Sequence, residues 1–385
     1  MKRLLLLLLA GAGLWLAACS SQPSSSTSLA DRLVAPGGTS TLLDQARIAD
    51  AVARVPHRNG TVPGRDGVPI FWCVFDPGNY GLAYHYLPQR HESGKPLDTG
   101  LSLALPQPFL PQAPKGTVVL LHGWMMNGDS MLPWSLQLAQ SGYRVAAIDL
   151  RNHGHSDHGP SGYGTFESDD VVDVIQALRT RGEVIGPLYL FGVSYGAATA
   201  LFTADKLGDQ VTGVVTMESF ANAGAAIRTM IPHLMALQPD GLMAQAAASY
   251  ARWRYGSQDI NAVIAAAGQR LDLDLDAVDV TRALADTRAC VLLMHGDNDQ
   301  HIPVQQGRAL ALSNPRVHYI EMRGEDHITL PLRMDLLGGV VDDWLASDRA
   351  GSAHCPAPEM PAEANLMALS PNAATPAAPT APARS

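Results

Sequence analysis

Basic charge is scarce in this sequence of 385 residues. Lysine and arginine number 27 against 36 acidic residues, for a formal charge of −9, and no Lys/Arg-rich run lies outside Lys2-Arg3. A chain of that balance is not drawn to nucleic acid or to an anionic surface, so neither is an expected partner. Long apolar runs are missing too. Leu4 to Leu9, continuing to Trp15-Leu16, falls short of the roughly 20 residues a spanning helix needs. Cysteine occurs four times, at 19, 73, 290 and 355, with no spacing that suggests a thiolate metal site. No Arg-rich clamp for a charged substrate stands out. What remains is an ordinary globular composition, 46% hydrophobic and 16% charged, long enough for one large domain plus additions.

The middle of the chain alternates strand and helix. Apolar strands are expected at Thr117–Leu121, Arg144–Asp149, Leu188–Val193, Val211–Met217, Cys290–Met294 and His318–Met322. Helical spacing separates them, as in Glu167–Arg179 with its apolar face through Val171, Val174, Ile175 and Leu178. Such βαβ repetition calls for a parallel sheet covered on both faces. Before it, Val68–Val74, Ala83–Tyr86 and Leu101–Leu105 read as leading antiparallel strands.

Leu188 to Ala198 is a buried strand running through Gly192-Val193-Ser194-Tyr195-Gly196 into a small-residue helix face. A serine there is lifted clear of the sheet, and the helix N-terminus behind it supplies backbone donors suited to an oxyanion. Asp299 follows the strand Cys290–Met294, and His327 follows the strand ending at Met322. Separations of about 100 and then under 30 residues suit a nucleophile, an orienting acid and a base on strands of one sheet. Two further stretches accompany them: Leu121-His122-Gly123-Trp124, and Asp149-Leu150-Arg151-Asn152-His153-Gly154-His155-Ser156.

Together these residues resemble the α/β-hydrolase superfamily over about residues 65 to 348. The resemblance implies a mostly parallel sheet with helices on both faces. It assigns Ser194 as nucleophile, His327 as base, Asp299 as orienting acid, and the N–H groups of Trp124 and Tyr195 as oxyanion donors, with no cofactor or metal. Asp297 and Glu218 compete with Asp299 for the acid role; Asp299 is favoured by its position after Gly296 and before Pro303. Asn152 stands where the family loop carries glycine, and His122, His295 and His301 read as structural. Trp124, Met125 and Met126 are candidates to line an acyl pocket. His153-x-His155-x-Asp157-His158 also matches the metal signature of metallo-β-lactamase-like hydrolases. That zinc reading leaves the Ser-Asp-His order unexplained.

At the N-terminus, Leu16-Ala17-Ala18-Cys19 after the charged and apolar segments resembles the lipobox of bacterial lipoproteins. The resemblance implies lipidation of Cys19 and a membrane anchor, with Ser20 suggesting the outer membrane facing the periplasm. The expected organisation is a signal peptide (1–18), a tether (19–55), the α/β-hydrolase core (56–220 and 274–350), a helical cap (221–273) and a Pro/Ala-rich disordered tail (351–385). Cys290 reads as a buried hydrophobe, which leaves a Cys73–Cys355 disulfide as the expectation. The expected activity is hydrolysis of a carboxylic ester, esterase- or lysophospholipase-like, on a small lipid-like substrate. Peptidase, thioesterase or acyltransferase chemistry on the same fold stays open, as does a non-catalytic binding lipoprotein.

Overall fold

The structure is a computed structural model that describes residues 28–37, 45–86, 99–239, 241–347, 355–361 and 366–369. Its strands are β1 (Arg58–Pro63), β2 (Pro69–Phe75), β3 (Leu82–Tyr86), β4 (Thr99–Leu103), β5 (Thr117–Leu121), β6 (Arg144–Ile148), β7 (Leu188–Val193), β8 (Gly213–Met217), β9 (Cys290–Gly296), β10 (Val317–Met322) and β11 (Leu366–Leu369). Its helices are α1 (Leu29–Val34), α2 (Gln45–Arg54), α3 (Leu132–Gln140), α4 (Thr165–Thr180), α5 (Tyr195–Leu207), α6 (Ala223–Ala236), α7 (Leu242–Tyr255), α8 (Ile260–Leu271), α9 (Val280–Asp286), α10 (Val304–Ser313) and α11 (Met334–Ala346).

Nine strands form one sheet in the order β1-β2-β6-β5-β7-β8-β9-β10-β11. The six from β6 to β10 run parallel, with antiparallel β1 and β2 at one edge and antiparallel β11 at the other. Strands β5, β7, β8 and β9 are buried along their whole length, which is why they read as unbroken apolar runs. Two apolar layers sandwich the sheet. One gathers Val119, Leu121, Ile148, Leu190 and Val214 with Val174, Leu178 and Leu201 from α4 and α5. The other gathers Val118, Leu120, Phe191 and Leu292 with Leu136 from α3 and Trp344 from α11.

Four expectations are corrected. Strands β3 and β4 do not lead the main sheet but pair with each other in a separate hairpin, while Arg58–Pro63, unrecognised in the sequence, supplies the edge. Part of the expected tether is folded onto the body. Leu29, Ala30 and Leu33 of α1 are buried, Tyr163 donates to the Leu33 carbonyl (3.0 Å), and Arg270 of α8 pairs with Asp31 (2.5 Å). Part of the expected disordered tail is ordered, because the Cys355 and Pro356 carbonyls are held by His318 (2.9 Å) and Trp344 (3.0 Å) and β11 pairs with β10.

The disulfide, finally, joins Cys290 to Cys355, and Cys73 is a free buried thiol. Five strand spacings separate β2, which carries Cys73, from β9, which carries Cys290, or about 24 Å. That is far beyond the reach of a bridge. Cys19 and the expected signal peptide lie outside the described residues, as does the rest of the tail.

Candidate active site

The parallel strands deliver chemistry at their carboxyl ends, where ligands bind in open α/β sheets. Ser194 follows β7 directly with φ 54° and ψ −113°, a conformation that costs a non-glycine residue about 1–3 kcal/mol. Two contacts hold it there. Its N–H donates to the Met217 carbonyl (2.8 Å), and its own carbonyl opens α5 by accepting from Ala197 and Ala198. The flanking glycines are required by close approach. A Cβ on Gly192 would lie 2.2 Å from the Gly196 carbonyl, and one on Gly196 would lie 2.3 Å from that of Leu121.

His327 joins the serine to the acid. Its Nε2 lies 2.9 Å from Ser194 Oγ and its Nδ1 2.7 Å from Asp299 Oδ2. With Nδ1 donating to the carboxylate, Nε2 is left to accept the serine proton. The other oxygen of Asp299 accepts the N–H groups of His301 and Ile302, each at 2.8 Å, fixing the carboxylate by two backbone donors. Burial alone would raise the Asp299 pKa. The His327 charge and hydrogen bond, with His295 and Glu218 close by, outweigh it and hold the carboxyl far below the usual range. All three side chains are nearly closed from solvent, with Ser194 9% and Asp299 6% exposed.

Of the competing acids, Asp297 turns outward to accept the Gly324 N–H (2.7 Å) and does not meet His327. Glu218 lies beside Asp299 rather than beside His327. Fully buried at the end of β8 with φ 57°, it accepts the Gly296 N–H (3.0 Å) and lies 3.2 Å from His295 Nε2. Desolvation and the adjacent Asp299 charge push its pKa well above the usual carboxylate range, and its Oε2 has no hydrogen-bond partner among the described residues. Sequence reasoning weighed Glu218 as a substitute for Asp299 and missed this supporting place.

Tyr195 follows Ser194 directly, and Trp124 follows Gly123, which lies against Ser194. Tyr195 is the first residue of α5, where backbone N–H groups have no partner within the helix. Its phenol is anchored away from the site by a hydrogen bond to Glu167 Oε1 (2.8 Å). Trp124 is three residues past β5, in a turn where Met125 takes φ 59° and donates its N–H to His153 Nε2 (3.1 Å). The indole N–H of Trp124 is buried with no hydrogen-bond partner among the described residues. Gly123 is hemmed in by Met126 and Ser194, since an added Cβ there would meet Met126 Sδ at 3.1 Å and Ser194 Cβ at 3.6 Å. Met125 is 43% exposed.

The loop after β6 is scaffold. Asp149 accepts from the N–H groups of Gly128 (2.5 Å) and His155 (2.7 Å), and Arg151 makes a bidentate, fully buried pair with Asp170, both bonds 2.7 Å. Asn152 adopts φ 70°, which asparagine tolerates, and its side chain exchanges hydrogen bonds with Gly159 across the loop. The imidazoles of the rival zinc signature do not converge. His153 is buried with both nitrogens engaged, by the Arg151 carbonyl and the Met125 N–H, whereas His155 is largely exposed and turned to Asp149. Among the described residues, a group with metal-ligand atoms within 4.8 Å of one another occurs only at Glu218, His295 and Asp299, where Asp299 already serves His327.

His122 is structural, its Nε2 accepting the Leu150 N–H (3.0 Å). His301 is closer to the chemistry than expected. Its ring stacks on His327 (5.0 Å between centroids), His233 of α6 packs against it (4.6 Å), and Thr229 of α6 donates to its carbonyl (3.1 Å). Helix α6 therefore touches His301, which in turn stacks on His327. Burial and the neighbouring His327 push His301 down to about 4, so it stays neutral when His327 takes up a proton.

The chain belongs to the alpha/beta hydrolase family, whose model matches residues 118–365, well over half of its length. Among curated proteins it is 32% identical over 94 residues to the uncharacterized protein YqkD of Bacillus subtilis, covering 24% of this chain and 31% of that one. It is 28% identical over 125 residues to a serine hydrolase-like protein of Dictyostelium discoideum, covering 32% and 33%. The chain thus spans about a third of the length of these relatives. Among solved structures, the Pyrococcus furiosus esterase Pf2001 matches with TM-score 0.53 at 15% identity, over 81% of this chain and 97% of that one. At that identity the likeness is one of fold.

Proposed function

We propose that this chain is a serine hydrolase that cleaves carboxylic esters through an acyl-enzyme. The observation that carries the reading is the unbroken line from Ser194 Oγ through His327 to Asp299, at 2.9 and 2.7 Å, on a strained serine at a helix N-terminus. In the reaction Ser194 Oγ attacks the ester carbonyl carbon while its proton passes to His327 Nε2. The carbonyl oxygen gathers negative charge, which the N–H groups of Trp124 and Tyr195 stabilise. Collapse breaks the bond to the alcohol oxygen, which leaves with the proton from Nε2. Water then repeats the sequence on the acyl-enzyme, and Asp299 balances the imidazolium in both halves.

Trp124 and Met126, on the turn that passes Ser194 at Gly123, support an uncharged acyl group. A lysophospholipase-like or simple esterase activity fits such a group. The Leu16-Ala17-Ala18-Cys19 stretch supports a chain held at the cell envelope by a lipid on Cys19. The test is turnover of p-nitrophenyl esters of rising chain length beside a matched anilide and thioester. Ester turnover with an optimum at intermediate chain length is expected, insensitive to EDTA. Turnover of the anilide or thioester in preference to every ester would replace the esterase reading by a peptidase or thioesterase one.

A further inference from the structure

Helix α7 is anomalous for an element above a buried core, because none of its fourteen residues is buried. Its large apolar side chains point outward: Leu242 is 86% exposed, Met243 70%, Tyr250 60% and Trp253 76%. At about 100° per residue, Leu242, Trp253, Ala246, Tyr250 and Met243 fall within roughly one 100° arc, a contiguous apolar stripe. Tyr250 and Trp253 pair their rings at 5.8 Å. Soluble surfaces seldom carry such a stripe without an occupant. Leucine and methionine beside tryptophan and tyrosine are the composition of helices that lie in a bilayer interface.

The place where the described chain begins, at Ser28, points to the occupant. Helix α1 docks on α8, with Arg270 in the last turn of α8 bonded to Ser28 (3.1 Å) and Asp31. Helix α8 has 12 residues and is thus about 18 Å long, and its first turn follows α7 after only four residues. Nine peptide steps separate Ser28 from Cys19, a reach of at most about 30 Å. A lipid on Cys19 and the stripe on α7 can therefore meet one membrane.

We propose that the outward face of α7 is a docking surface for a phospholipid bilayer, which sets the cap against the membrane that supplies an apolar ester. The inference rests on the envelope-anchored reading above. The cations of the helix are spent elsewhere: Arg252 donates to the carbonyls of Met235 and Leu237, and Arg254 lies over the Tyr255 ring at 5.2 Å. With a chain charge of −9 as well, docking is apolar, suits zwitterionic lipid, and is indifferent to salt.

The test uses the chain from Ser20 to Ser385, which contains every described element, so that no acyl anchor masks the contribution of the face. Partition into phosphatidylcholine vesicles is measured for this form, for L242S/W253S and for L110S, an equally exposed leucine outside the cap. Fluorophosphonate labelling of Ser194 runs in parallel as the check of folding and of the hydrolase reading. The double variant is expected to lose at least about tenfold in partitioning, with labelling intact, L110S unchanged and no effect of about 0.5 M salt, roughly three times physiological ionic strength.

Equal partitioning of all three forms, or none by any, would overturn the proposal. So would binding abolished by salt, or a dimer that dissociates in L242S/W253S, since the face would then belong to a second copy. Vesicle binding lost in the double variant while no form labels, with the circular dichroism and urea midpoint of all forms alike, would retain the docking surface and reject the serine chemistry instead.

Discussion

Substituting Glu218 by glutamine should leave the enzyme nearly unharmed, whereas alanine should damage it. The carboxyls of Glu218 and Asp299 lie with their oxygens within 4.8 Å of one another in a fully buried site. At about that separation and an effective dielectric of about 20, two charges repel by about 3.5 kcal/mol, a roughly 300-fold preference for a single ionisation. Two backbone donors and His327 keep the charge on Asp299. Glu218 is therefore the carboxyl expected to keep its proton near neutrality.

Glutamine reproduces that state, with its carbonyl available to the Gly296 N–H and its amide to Asp299. The expected outcome for E218Q is a kcat/KM within about threefold of the parent and an unchanged acid limb of the pH–rate profile. E218A leaves the Gly296 N–H unpaired and a cavity beside the triad acid, and should lose about tenfold or more. If Glu218 were ionised, E218Q would remove a negative charge from beside Asp299 and so change the field on the imidazolium that Asp299 balances. A fall in kcat/KM of about 100-fold for E218Q, or an acid limb moved by more than about one pH unit, would refute the reasoning.

Other perturbations separate scaffold from chemistry. Replacing Arg151 by methionine strands a buried Asp170 carboxylate and should cost about 3–5 kcal/mol in urea unfolding, with labelling of Ser194 per folded molecule unchanged. The Cys290–Cys355 bridge closes a loop across a sequence separation of 65, so C355S should lose up to about 4 kcal/mol, read as a lower urea midpoint under non-reducing conditions. Burial pushes His153 down to about 3 in the folded state. The unfolded chain binds that proton at about 6.5, so stability is complete above pH 6.5 and drains as the pH falls toward 3. Between pH 7 and pH 5 this histidine alone should account for a loss of about 2 kcal/mol; a flat profile over that window would show that His153 titrates normally.

What the sequence made legible is what its local pattern encodes. The strand at Leu188, the glycine-framed turn at Ser194 and the order of Asp299 and His327 each carry a short-range signature, and the parallel sheet brings them together. Long-range proximity has no such signature. Cys290 sits in an apolar run and looked inert, yet the chain beyond α11 returns to it, and no pattern in a Pro/Ala-rich segment announces the four residues of β11. Helix α1 is too short to be stable alone and is held by tertiary contacts, Tyr163 to Leu33 and Arg270 to Asp31. Asn152 was visible as a departure from glycine, and its positive φ and loop-spanning hydrogen bonds explain why it serves there. Glu218 was visible as an acid, but its neutrality depends on a neighbour 81 positions away in sequence.

The measurement that bears most directly on the central claim is mapping of a fluorophosphonate adduct by mass spectrometry on folded protein, with and without EDTA. The account predicts one adduct, on Ser194, indifferent to EDTA, absent from S194A, and slowed by at least about 10³-fold in H327A. No adduct on well-folded protein, or an adduct on another serine that survives in S194A, would contradict it.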